Sequence, residues 1–135
     1  MKRGAKVKPT EKELEILQVL WNRGPSTVRE VHTELSARGG TGYTTALKLM
    51  QIMHEKGLLA RDESERTHVY RTTKTKEQVE TALVGGLVDR LFAGSAERLA
   101  LRAFASRRLS TEELRRIRTF LDDYEEGRSR RRGGS

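Results

Sequence analysis

Cysteine is absent from the chain. That excludes disulfides, thiolate catalysis and cysteine-ligated metal sites. Aromatic residues make up only 5% and hydrophobic residues 35%, which is a thin supply of core. Part of the apolar surface is therefore expected to be covered by a second subunit. No apolar run approaches the roughly 18 residues of a membrane-crossing helix, and the first residues carry no apolar signal segment. The expectation is a cytoplasmic protein with no membrane partner. The three histidines, His32, His54 and His68, have no ligand spacing. Beyond ordinary surface charges no carboxylates are paired on a shared face, and no glycine-rich phosphate loop is present. Gly39-Gly40 reads as a turn and Gly85-Gly86 as a close helix contact. The chain is expected to be no enzyme and to hold no metal or cofactor.

What the 135 residues do contain is base, giving a formal charge of +8. Lys2, Arg3, Lys6 and Lys8 stand at one end, and Arg128, Arg130, Arg131 and Arg132 at the other. Between Thr10 and Gly127 acids and bases cancel. Charge concentrated in two ends can neutralise phosphates without reading sequence.

Local signals divide the chain into elements. Thr10 and Glu13 form a capping box that opens a first helix with Leu14, Leu17, Leu20 and Trp21 inward. Trp21 reads as core rather than as a stacking platform. Gly24-Pro25 stops that helix. Ser26-Thr27 caps a second helix with Val28, Val31 and Leu35 on its apolar face. The third helix, Tyr43 to Lys56, buries Ala46, Leu49, Met50 and Met53 and is closed by Gly57. Its opposite face opens with Thr44, Thr45 and Lys48, which no core requires, and Gln51 follows one turn later.

Leu59–Asp62 and Thr67–Arg71 have strand character around a polar tip, which predicts a β-hairpin. Three short helices and a hairpin are the element order of a winged helix-turn-helix. A fourth helix from Thr75 to Phe92 carries two apolar stripes. One contains Val79, Leu83, Leu87 and Leu91, the other Val84, Val88 and Phe92; two stripes imply two partners. A fifth helix holds Leu99, Leu101 and Phe104. A second capping box, Ser110 to Glu113, opens a sixth with Leu114, Ile117, Leu121 and Tyr124 inward. About 50 residues cannot enclose a core alone, so these helices are expected to form a homodimer. The terminal RSRRRGGS has no apolar residue and is expected to be disordered.

Taken in order, "TEKELEILQVLW", "YTTALKLMQIMHEKGLL", "RTHVYR", "LVDRLFAGSAERLALRAF" and "LSTEEL" resemble the penicillinase-repressor (BlaI/MecI) family of transcriptional regulators, over roughly Pro9 to Asp123. The resemblance implies an N-terminal winged helix that binds DNA and a C-terminal helical region that makes the dimer. In such a domain the N-terminal part of the third helix meets the bases, which assigns Thr44, Thr45, Lys48 and Gln51 as contacts. Ser26 and Thr27, before the second helix, and Arg66 and His68, in the wing, complete the expected DNA-binding set. Asp62, Glu63 and Glu65 surround Arg66 and would repel phosphate. The dimerisation set is Leu83, Leu87, Leu91, Phe92, Leu99, Phe104, Leu114, Ile117 and Leu121. Family repressors of β-lactam resistance are inactivated by a regulatory protease at an Asn-Phe bond, where this chain has Arg102-Ala103. Copper-responsive relatives carry C-terminal cysteines, which this chain lacks.

The fold expected is mainly α with a small β-hairpin wing: a winged helix-turn-helix followed by a three-helix dimerisation region. The divisions are a basic arm at 1–9, the winged helix at 10–74, the dimerisation helices at 75–127 and an Arg-rich tail at 128–135. The function expected is sequence-specific repression by a homodimer on a pseudo-palindromic operator. Two alternatives are a winged helix adapted to protein interaction and a non-specific nucleic-acid-binding protein acting through its tails.

Overall fold

The computed structural model describes residues 8–133. The elements are α1 (Glu11–Arg23), α2 (Val28–Ser36), α3 (Tyr43–Glu55), β1 (Leu59–Asp62), β2 (Val69–Thr72), α4 (Lys76–Leu91), α5 (Ala96–Ser106) and α6 (Thr111–Gly133). The architecture is mainly α with a two-stranded antiparallel wing. The chain parts into two compact units, one ending at Gly86 and one beginning at Leu87. No described helix is long and apolar enough to cross a membrane.

Helix starts follow local chemistry. Thr10 Oγ1 accepts the Glu13 amide at 3.2 Å, and Glu13 Oε1 accepts the Thr10 amide at 2.9 Å. The same reciprocal pattern joins Thr27 to Glu30, Thr75 to Gln78 and Ser110 to Glu113. Each satisfies two amides that a helix end would otherwise leave unpaired.

The first unit has one core. Ile16, Leu17, Val19 and Leu20 of α1 meet Val28, Val31 and Leu35 of α2, Ala46, Met50 and Met53 of α3, and Leu58, Leu59 and Tyr70 around the wing. Leu14, Trp21 and Leu49, expected inward, are only partly buried against it. Ile16 and Val19 take the centre instead, because α1 is covered by α2, α3 and β2 together. Trp21 packs on the edge and donates its indole N–H to the Lys74 carbonyl at 3.2 Å. In the sheet Leu59 pairs with Thr72 and Asp62 with Val69. The second strand begins two residues later than its sequence predicts, so His68 joins Arg66 in the connecting loop rather than lying on a strand.

Ser26 is drawn into this sheet. Its amide donates to the Tyr70 carbonyl at 2.9 Å, and the Tyr70 amide returns the bond at 2.8 Å. The segment before α2 thereby becomes a third, one-residue strand.

In the second unit no described residue from Leu87 onward is buried. Leu91 is 65% exposed and Phe120 64%, with Leu101, Phe104, Leu121 and Tyr124 also exposed. Ala100 and Phe104 of α5 and Ile117, Phe120 and Leu121 of α6 line an open apolar groove. Gly85 makes no close contact: a Cβ there would meet nothing within 4 Å.

The expected disordered tail is corrected at residues 128–133, which continue α6. Extending a formed helix costs far less than nucleating one, so no apolar residue is needed. Glu126 lies four residues before Arg130 and 3.6 Å from it, the favourable order for a helical ion pair, and arginines near a helix C-terminus suit its dipole. Lys2, Arg3 and Lys6 of the basic arm, like Gly134 and Ser135, lie outside the described residues.

Candidate nucleic-acid interface

α3 is held by one face and free on the other. Ala46, Met50 and Met53 are fully buried, and truncating Met50 to Ala would cost about 2–5 kcal/mol. The 100° step between helical residues then carries Thr44, Thr45, Lys48 and Gln51 outward, and all four are exposed. Gly42, the residue before α3, offers no side-chain cap. The first amides of α3 are therefore left for an outside acceptor, where a helix end favours anions. Glu55 shares the outer face, about 10 Å further along the axis from Lys48 at ~1.5 Å per residue.

The far end of α3 is pinned from beneath. Glu13 is 2% exposed, and Lys56 Nζ reaches its two carboxylate oxygens at 3.0 and 2.9 Å. Glu13 thus caps α1 and ties that helix to the end of α3. Its place in a capping box is visible in the sequence; its partner 43 residues away is not.

The wing flanks α3. Arg66 is exposed and His68 half-buried, and both line a cleft with Gln51 of α3 and Arg29 of α2. The acids nearby are less repulsive than their sequence implies. Glu63 pairs with Arg61 at 2.6 Å. The Arg61 guanidinium also lies 5.9 Å from the Tyr70 ring centre and 3.5 Å from its hydroxyl. Asp62 accepts the Ser64 amide at 2.9 Å. That bond holds the Asp62 carboxyl below its ordinary pKa, while the Arg61 hydrogen bond does the same for Glu63. The Tyr70 hydroxyl and Glu63 in turn raise Arg61. Among the described residues only Glu65 of these acids has neither an ion pair nor a side-chain hydrogen bond.

Ser26 is a correction to the expected set. It is 1% exposed, its hydroxyl donates to the Gly24 carbonyl at 2.8 Å, and it accepts from Arg23 Nε at 3.3 Å. Pairing with Tyr70 turns it inward, so it is a structural residue. Thr27 is half-exposed and caps α2. Sequence reasoning passed over Arg29 and Tyr43; each is an ordinary surface residue by spacing, and only the cleft brings them together. The expected dimer set stands partly or largely open: Leu87, Leu91, Phe104, Leu114 and Leu121 are exposed, and Leu83, Phe92, Leu99 and Ile117 half-buried. Arg102 and Ala103 are exposed on α5.

Three helices, a two-stranded wing and an outward third helix define a winged helix-turn-helix protein. A MarR family protein from Bacillus stearothermophilus shares the fold, with TM-score 0.50 and 21% identity over 89% of this chain and 75% of that one. The family model described as penicillinase repressor matches residues 9–123, and the chain belongs to that family. It is 30% identical over 122 residues to transcriptional regulator BlaI of Mycobacterium tuberculosis, in strains CDC 1551 / Oshkosh and H37Rv, covering 88% of this chain and 86% of each relative. The protein is a transcriptional regulator and not an enzyme.

Proposed function

We propose that this regulator is a cytoplasmic, homodimeric repressor that reads a pseudo-palindromic operator with one α3 per half-site. The observation that carries the reading is the divided surface of α3. Its inner residues are fully buried, while Thr44, Thr45, Lys48 and Gln51 are exposed beside an uncapped N-terminal turn. Threonine methyls suit thymine methyls, hydroxyls suit base edges, and Lys48 suits guanine or phosphate. Arg66 and His68 approach the flanking backbone from the wing. Dimerisation follows from the unburied apolar residues beyond Leu87, since a surface of that kind marks an interface.

The test begins with selection of duplexes from a random library by the intact protein. Thr44→Ala and Thr45→Ala should each weaken the selected duplex by about 1–3 kcal/mol and leave scrambled DNA nearly unaffected. Their stability should stay within ~0.5 kcal/mol of wild type, as for most surface changes. Full retention of preference by both variants would mean that α3 does not read the bases. An interaction module would bind neither duplex, and a non-specific protein would bind both alike.

A further inference from the structure

We propose that Arg29 is a backbone-phosphate anchor of each half-site, with Tyr43 and His32 as its positioning residues. This rests on the DNA-binding reading above and extends it to residues outside the recognition face.

The supporting geometry is a stack across α2 and α3. The Arg29 guanidinium lies over the Tyr43 ring at 5.5 Å. The His32 ring meets Tyr43 edge-on, with centroids 5.8 Å apart and planes at 86°. Ser36 Oγ in turn holds His32 Nε2 at 3.1 Å. A guanidinium resting on an aromatic face keeps its edge N–H groups free, and that edge matches two phosphate oxygens.

Charge points the same way. The acids of α2 are occupied on another side: Glu30 and Glu34 each lie 3.6 Å from Arg23. Glu63, in the wing, is occupied by Arg61. Among the described residues, neither Arg29 nor Arg66 has a carboxylate within ion-pairing distance. Both line the cleft between the helices and the wing, together with Tyr43, Gln51, Arg61 and His68. Gln51 also lies on the outer face of α3, so a strand followed by that helix would present its phosphates to this cleft. Arg61 is also braced there, on Tyr70, but its charge is taken by Glu63; the braced base without a carboxylate partner is Arg29. Arg66 stands on a loop with no comparable support.

The experiment is a salt series with Arg29→Ala, Tyr43→Leu and Tyr43→Phe, measured by fluorescence anisotropy on selected and scrambled duplexes. One phosphate contact contributes a slope of about 0.9 in log K against log salt. Losing it should cost about five-fold at 0.15 M salt and about fifteen-fold at 0.05 M, on both duplexes alike. Tyr43→Leu leaves the charge but removes its brace, with an expected loss of about two- to five-fold. Tyr43→Phe keeps the ring and should restore wild-type binding. Melting temperatures of the three should match wild type, because Arg29 and Tyr43 are exposed. An unchanged slope for Arg29→Ala, in a protein whose wild type binds DNA, would overturn the anchor alone. A loss confined to the selected duplex would make Arg29 a base reader and overturn it too. A wild type that binds no duplex would instead bring down the DNA-binding reading itself.

Discussion

Lys56→Met tests the strut beneath the recognition helix. The substitution keeps the aliphatic stem and removes the charge that holds a carboxylate 2% exposed. Stranding a buried charge typically costs about 3–5 kcal/mol. Two features place the expected cost near the lower limit. The Lys56 side chain is itself 31% exposed, so some water already reaches the pair, and the Thr10 amide at 2.9 Å remains bonded to Glu13. The expected loss is about 3 kcal/mol, or roughly 10–15 °C in melting temperature for a chain of this size. The control is Glu13→Gln, which keeps the capping-box acceptor but carries no charge. In that background Lys56→Met should cost less than ~1 kcal/mol. The lysine's interaction with the end of α3 contributes to both measurements and cancels in the cycle. Urea unfolding followed by circular dichroism, at one protein concentration, supplies the four free energies. Equal costs in the two backgrounds would show that the pair is not coupled, and that α3 is held by its apolar face alone.

Leu87→Arg should convert the dimer to a monomer by light scattering at micromolar concentration, because a charge buried in an apolar seam costs several kcal/mol; a wild type that is already monomeric would defeat the assembly proposed above. Gly85→Ala should raise stability by about 0.5–1 kcal/mol, since a Cβ there meets nothing within the chain. A loss of stability would instead place a second copy's backbone against α4. In the wing, the carboxyls of Asp62 and Glu63 are depressed, so their bonds stabilise the fold above the unfolded carboxylate range and are lost as pH falls through the lower folded values. The stability difference between wild type and Asp62→Asn should therefore persist at pH 7 and begin to shrink only below about pH 4, closing as the folded carboxyl takes up its proton, read as converging urea midpoints; a difference that grows in acid would contradict the Ser64 bond.

What the sequence by itself determined is local. The capping boxes at Thr10 and Ser110 need only residues three apart, and both are present. The apolar faces of α2 and α3 follow from helical spacing, so Val28, Val31, Leu35, Ala46, Met50 and Met53 are core as expected. The exposure of Thr44, Thr45 and Lys48 is the other side of the same periodicity. The family itself was legible because several such segments occur in a fixed order.

Contacts between distant residues were decided only by the tertiary structure. Ser26 looks like a free cap beside Thr27, yet two backbone bonds to Tyr70 turn it inward. Glu13 reads as one arm of a capping box until Lys56 arrives from the end of α3. Trp21 and Ile16 exchange places, because the position of neighbouring elements, not periodicity, selects which edge of a broad apolar stripe is covered. The wing acids read as a repulsive run, but their net effect depends on Arg61 and Ser64 geometry. Arg29 and Tyr43 lie on separate helices, and nothing in either helix's own pattern announces the other. Periodicity assigns each side chain a direction from its own helix. Which group stands at the end of that direction depends on how separate elements pack.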